Sequence, residues 1–477
     1  MVNWTIAGAG ICILIQIFMG ATIEVVVLTT ISVIFSVYGF LASGVYCIGA
    51  WALYLYVFGN IIVALFGKTL LGQPLDSNLA APTDSFLMVT LSSFAFVLAF
   101  NVIRNIRFRE ILNDVRPSSE KLFFLSTTSF LLGVGFWLLN RILLDDTDGD
   151  FGGLSIFFGL FLMAVIARTG ALITKTNGIK TFDFFLCLII VVAVVFGGID
   201  NKKTNVALPV ISYFVTILFY RGYLSLRSII IAGLGFALFL TVLAPSIHTL
   251  RVLGQSQQTI DDRVELIIKF SSDIFSSKQT LDQIQKTASS RFADGYYGYF
   301  GDSGFGQMLL GRYASIQQID PIVGEVNRNG SMGGEAIWPA FTRLVPRFIN
   351  SDKPLYIESF NILYHYALIG PLDGRFPTLP LAGQAYAAYG IAGVLIISFL
   401  IFLVFLGALK KIGYRLHYNP YTIFFFCQFL VVYVSQGDFS QYVGFILRNA
   451  PLFIMVFLIV SLFWRLRIRV RQFAREG

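Results

Sequence analysis

Apolar runs of about twenty residues, separated by short polar or glycine-containing breaks, recur between residues 4 and 244 and again between 384 and 464. A helix of roughly twenty residues covers the ~30 Å of bilayer hydrocarbon and satisfies its own backbone hydrogen bonds. A membrane β-barrel would show shorter, strictly alternating segments instead. The pattern predicts twelve spans, near 4–19, 22–40, 43–66, 84–103, 121–140, 153–172, 183–198, 204–221, 227–244, 384–408, 421–436 and 445–464. The first three form one nearly continuous run, broken at Gly20 to Glu24 and Gly39 to Gly44, so two long tilted helices are the alternative division. The expected fold is an all-α polytopic membrane protein of about twelve transmembrane helices with one large structured loop. Its parts are 1–244 with nine helices, 245–383 as the loop, and 384–477 with three helices and a basic tail.

Basic residues set the orientation, because short loops rich in Lys and Arg stay on the cytoplasmic side during insertion. One set of connections, with the C-terminal tail, holds 18 of them, including Arg104, Arg107, Arg168, Lys410 and Arg465, whereas the opposite short connections hold 4: Lys68, Arg141, Lys202 and Lys203. Both termini are therefore expected to face the cytoplasm. The first helix should remain as an anchor, since residues 1–5 carry no Lys or Arg and the apolar run outlasts a signal peptide. Residues 245–383 then lie outside, a 139-residue segment with 12 basic and 13 acidic residues. A connection that long is unusual unless it is structured or functional. Ile260, Val264, Ile267, Ile268, Phe275, Leu281 and Ile284 recur at helical spacing, which predicts an amphipathic helix or helix pair over Thr259 to Ala288. The glycine- and aromatic-rich stretch Gly295 to Gly311 predicts irregular backbone.

Composition agrees with the pattern: 56% of residues are hydrophobic and 13% charged, too little polar surface for a soluble globule of this size. The formal charge of +8 does not point to nucleic acid, because the cations flank apolar runs. Cys12, Cys47, Cys187 and Cys427 lie within apolar stretches and read as packing residues. Soluble-enzyme signatures are missing: the sequence has no HExxH, no Walker loop and no GxSxG, and Gly301 to Gly306 reads as a turn rather than a dinucleotide loop. The three histidines, His248, His365 and His417, are not spaced for a metal, so neither metal nor cofactor is expected.

Cations on the outer side carry the chemical signal. Lys202 and Lys203 occupy a very short turn, where an ammonium needs water, an acid or an anionic ligand. Arg448 opens the last span, and Arg251, Arg291, Arg312, Arg343, Arg347, Lys353 and Arg375 come from the loop. Guanidinium groups suit phosphate because they stay charged and donate in a fixed fork.

From about residue 196 onward the chain resembles the Wzy-type polymerases of bacterial polysaccharides, in particular the enterobacterial common antigen branch. The resemblance rests on Gly197-Gly198 with its following span and Arg221-Gly222, on Leu310 to Ser315 around Arg312, and on Val345 to Ile349 with Lys353-Pro354. It continues through Pro377 to Leu379, Tyr389-Gly390 with Gly393, and Arg448. Where the family often has arginine at the Gly-Gly turn, this chain has Lys202 and Lys203.

The resemblance implies an integral-membrane glycosyltransferase of the bacterial inner membrane with a periplasmic loop. It would polymerise undecaprenyl-diphosphate-linked oligosaccharide repeat units, with a chain-length regulator and a flippase as candidate partners beside the lipid bilayer. Arg312, Glu358 and His365 are the catalytic candidates it suggests. Lys202, Lys203, Arg251, Arg343, Arg347, Lys353 and Arg448 would bind diphosphate or glycan, and Glu325, Glu335 and Asp373 are further candidates for the proton acceptor. An O-antigen ligase and a lipid-linked oligosaccharide flippase or transporter are the alternatives.

Overall fold

The computed structural model describes residues 2–112, 116–143, 154–200, 203–238, 298–301, 314–342, 344, 358–369, 379–429 and 437–476. Among them every regular element is a helix. Eight helices are long and apolar enough to cross a membrane: Ile23–Ser43, Ile48–Leu70, Pro82–Asn105, Ser119–Asn140, Ile156–Lys175, Thr204–Arg221, Leu381–Ile412 and Phe439–Val470. Thr5–Phe18 and Phe184–Ile199 are shorter apolar helices. The other two expected spans, near 227–244 and 421–436, run into residues outside the description, as do the amphipathic helix expected over Thr259 to Ala288 and most of Gly295 to Gly311. Large apolar side chains face outward along these helices, with Phe18 90% and Phe184 85% exposed, an arrangement that suits lipid rather than water.

The apolar N-terminal run divides into three helices rather than two, Val2–Phe18, Ile23–Ser43 and one beginning at Ile48. Gly20 and Gly44 adopt positive φ, 83° and 79°, so these glycines end the helices where a side chain would resist.

Two compact units emerge. The first gathers residues 1–110, 289–414 and 429–451. Its centre is the packing of Pro82–Asn105 against Leu381–Ile412, with Phe96 stacked on Phe402 at 4.0 Å and Tyr56 edge-on to both at 5.5 and 5.1 Å. Buried hydroxyls link three helices beside these rings: Tyr56 Oη lies 2.6 Å from Ser92 Oγ, which donates to Ser398 Oγ at 3.1 Å. Lys410 closes one end of Pro82–Asn105, its Nζ donating to the carbonyls of Ile103, Arg104 and Ile106 at 2.8–2.9 Å. Carbonyls at a helix end lack a following turn to bond them, and among the described residues only Ile103 O of these three has a backbone donor, Ile106 N at 3.2 Å.

The second unit gathers residues 111–288, 415–428 and 452–477. Gly159–Lys175 runs through its core beside Ser119–Leu143 and Lys203–Arg221, with Trp137 stacked on Phe196 at 3.8 Å. Gly197 is required by close approach, since a Cβ there would sit 2.8 Å from the backbone of Asn205. Asp183 caps Phe184–Ile199 by accepting from Leu186 N at 2.9 Å, and Arg168 grips the same carboxylate through Nε and Nη2 while lying over the rings of Phe123 and Phe185. Burial pushes the Asp183 carboxyl up, but the Arg168 and Leu186 hydrogen bonds outweigh it and hold it below its ordinary value.

Candidate functional site

The site lies in the first unit, where residues 298–301 and 314–342 fold onto the ends of the apolar helices. Docking begins at a buried cation. Lys68, which the sequence places in an outer connection, is fully buried at the end of its helix and donates to Gln73 Oε1 at 3.0 Å, Ser77 O at 3.0 Å and Ser77 Oγ at 2.8 Å. Its Nζ also lies 4.2 Å from the centre of the Tyr299 ring. All three ammonium protons are thereby used, and the neutral acceptors and aromatic face replace water. Tyr299 in turn donates to Leu75 O at 2.7 Å and accepts at its carbonyl from Asn78 Nδ2. Burial, with Asp76 and Asp320 nearby, holds its phenol well above its ordinary pKa and so keeps it a donor.

The helix Ile316–Asn329 docks through Asp320, which is buried and accepts from Ala80 N at 2.7 Å, Ala81 N at 2.9 Å and Ser85 Oγ at 2.9 Å. These donors stand at the start of Pro82–Asn105, the positive end of a helix whose first N–H groups lack partners. Ser315 N meanwhile donates to the carbonyl of Gly59 at 3.2 Å, in the π turn Phe58–Ile62, where the widened ladder alters the ordinary i→i−4 pairing.

The helix Leu381–Ile412 is broken at Tyr389 and Gly390. Gly390 has φ 61° and ψ −146°, a conformation essentially confined to glycine. Beyond it the chain doubles back so tightly that a Cβ on Gly393 would come 2.1 Å from Ala385 O. The break frees carbonyls that a straight helix would use, and Ala387 O accepts instead from Met332 N at 2.8 Å. Broken helices are tolerated at membrane depth where protein or water satisfies the backbone, and they often line binding sites.

Polar side chains converge on the short half of this helix. Gln384 Oε1 accepts from Phe439 N at 2.6 Å, its Nε2 donates to Ser359 Oγ at 3.3 Å, and the same Oγ accepts from Leu379 N at 3.0 Å. Two residues further, Tyr386 Oη donates to Asn327 Oδ1, and Asn327 Nδ2 donates to Asp84 Oδ2 at 3.0 Å. Glu325 accepts from Arg328 Nη1 at 3.0 Å and Asn329 Nδ2 at 2.8 Å. Tyr366 donates to Gly330 O at 2.8 Å, and burial together with the nearby Glu325 raises its phenol pKa. Trp338 is 68% and Tyr389 53% exposed on the same group of elements, and the Tyr389 hydroxyl lies beside Gly334. Carboxylate, amide and exposed aromatic groups together suit a ligand with hydroxyls and a flat apolar face.

The structure places only part of the predicted site. Arg312, Lys202, Arg251, Arg291, Arg343, Arg347, Lys353, Asp373 and Arg375 lie outside the described residues. Lys203 and Glu358 begin helices, but their side chains are also outside the description. His365 ends Glu358–His365, exposed, with its ring 4.9 Å from that of Tyr366. Glu325 and Glu335 fall within the site, Glu335 in the short turn Gly333–Ala336. Arg448 is exposed in the π turn Phe445–Asn449, its Nε donating to Asn449 Oδ1 at 3.0 Å. Sequence reasoning missed Asp84, Asn327, Tyr386 and Gln384. No group of His, Cys, Asp or Glu that could hold a metal ion occurs among the described residues.

Among the described residues, fold and site together define an all-helical protein with eight helices long and apolar enough to cross a membrane, whose outward apolar faces suit contact with a lipid bilayer. Compared with protein-family models, with curated proteins and with solved structures, it matches none.

Proposed function

We propose that this protein polymerises undecaprenyl-diphosphate-linked oligosaccharide repeat units into a surface polysaccharide by block glycosyl transfer. In this reading twelve spans cross the bacterial inner membrane, both termini are cytoplasmic and residues 245–383 form the periplasmic loop. The observation that carries it is the docking of a segment of that loop onto a broken helix and the start of Pro82–Asn105, where carboxylates, amides and exposed aromatic rings gather. The resemblance to Wzy-type polymerases in motif order supports it as well. Transfer from a lipid diphosphate requires a cationic environment for the departing anion, and Arg312 is the residue the resemblance assigns to it. Arg448 is a further outer-side candidate.

A transporter of lipid-linked oligosaccharide is the second reading, favoured by the same broken helix. The glycan profile of a strain lacking the protein separates these readings. Loss of a polymerase leaves single repeat units on the final acceptor, loss of a flippase leaves none there, and loss of a ligase leaves polymer on the carrier. A ladder of normal length in the deletion strain would end the polymerase reading.

A further inference from the structure

Three carboxylates make hydrogen bonds around the docked helix Ile316–Asn329, and they differ in what their oxygens do. Asp320 uses both, Oδ2 for Ala80 N and Oδ1 for Ala81 N and Ser85 Oγ. Glu325 also uses both, Oε1 for Arg328 and Oε2 for Asn329. Asp84 binds Asn327 through Oδ2 alone, and among the described residues no hydrogen bond or ion pair engages its Oδ1. Glu335 is exposed, and no hydrogen bond among the described residues fixes it in place. Asp84 is therefore the carboxylate that is both held and open, which a proton acceptor must be.

The hydrogen bonds also fix the orientation of its partners. A carboxylate accepting from an amide leaves Asn327 no choice of orientation: Nδ2 must face Asp84, so Oδ1 faces Tyr386 and the phenol must donate. The chain Tyr386 to Asn327 to Asp84 thus delivers donors toward an anion. Asp84 sits in the first turn of Pro82–Asn105, where the helix dipole further favours negative charge. Each of the three residues comes from a different element, and Asp320, two turns earlier on the docked helix, already anchors that helix. Docking alone does not account for a second, half-used carboxylate.

We infer that Asp84 accepts the proton of the attacking sugar hydroxyl, with Asn327 and Tyr386 as its positioning residues. This rests on the glycosyl-transfer reading. The hydroxyl proton passes to Asp84 Oδ1, the hydroxyl oxygen bonds to the anomeric carbon of the donor, and the bond from that carbon to the diphosphate oxygen breaks with its electron pair leaving on the diphosphate.

The test uses the full chain in membranes from a strain lacking its own copy, supplied with synthetic lipid-diphosphate-linked repeat units. Asp84→Asn keeps the shape and an acceptor for Asn327, so protein abundance should hold. Turnover should fall about 10²–10⁴-fold, the usual scale of general-base catalysis, with the KM for donor within a few-fold of wild type. Tyr386→Phe removes one donor from the chain, weakens the support of the Asp84 anion and should move the acidic limb of the pH–rate profile upward, which a purely structural tyrosine would not do. If wild type polymerises and Asp84→Asn matches its turnover, the inference falls while the function stands. Should Asp84→Asn fail to accumulate, an unmoved acidic limb in Tyr386→Phe overturns it instead. A wild-type chain that makes no polymer overturns both.

Discussion

Asp320 offers a direct measure of how the segment after residue 298 is held. Replacing it with alanine removes the acceptor for two backbone N–H groups and one hydroxyl, all at a buried carboxylate. A buried donor left unsatisfied costs about 1–3 kcal/mol, so three of them set an upper range near 9 kcal/mol. Water entering the vacated space would recover part of that, and a net loss of about 3–5 kcal/mol, roughly half of that range, is the expectation. The loss should be local, because the helices of the unit keep their own ring contacts and hydroxyl bonds. The assay is limited trypsin digestion in detergent, followed by mass spectrometry of the peptide ending at Arg328, whose side chain is 72% exposed. At about 1.4 kcal/mol per tenfold change in population, even 3 kcal/mol raises opening-limited cleavage there about a hundredfold. Asp320→Asn should fall between, since one carboxylate oxygen becomes an NH₂ facing donors, and Ser85→Ala should cost only about 1 kcal/mol. Cleavage at Arg328 within threefold of wild type in Asp320→Ala would refute the claim that this carboxylate docks the helix.

Gly393→Ala should abolish accumulation of folded protein, because its Cβ would overlap Ala385 O at 2.1 Å, and Gly390→Ala should cost about 1–3 kcal/mol through backbone strain; size-exclusion profiles and melting temperatures in detergent check both. Asp183 has a folded pKa below its unfolded one, so its stabilising effect is fully present above about pH 4 and is lost as pH falls through the folded value. An acid-melting series should show that loss in wild type and its absence in Asp183→Asn. Arg312→Lys should cut polymer formation at least about tenfold at equal protein amount if a bidentate fork holds the diphosphate. A wild-type ladder from the lysine variant would remove Arg312 from the chemistry.

Much of the fold was legible because lipid imposes a simple rule: a helix in hydrocarbon must be long, apolar and internally bonded. Among the described residues the apolar helices fall close to ten of the expected spans, and Gly20 and Gly44 marked where the first long run divides. The rule counts charge by position in the sequence and says nothing of burial, which is where Lys68 departs from expectation. One helical turn moves a side chain from solvent into a cage of Gln73, Ser77 and Tyr299, and Tyr299 lies more than two hundred residues away. Nothing in the local pattern distinguishes a lysine that faces water from one whose three protons already have acceptors.

The site was less legible for the same reason. Outer-side cations stand out against an apolar background, and so they drew the sequence reading; Gly390 and Gly393 stood out as well, and the broken helix lies where they are. Asp84 stood out in no way, because a single acidic residue at the start of a span looks like an ordinary N-terminal helix residue. Its meaning comes from Asn327, 243 positions away, and from Tyr386, 59 beyond that. Three residues of ordinary type on three elements form an oriented donor chain only when the loop segment is docked, and Asp320 holds it there. Asp320 and Asp84 both begin from the same physical need, donors at the head of one helix seeking negative charge. The first is saturated by backbone and becomes structure, whereas the second keeps an oxygen open and is the one able to do chemistry.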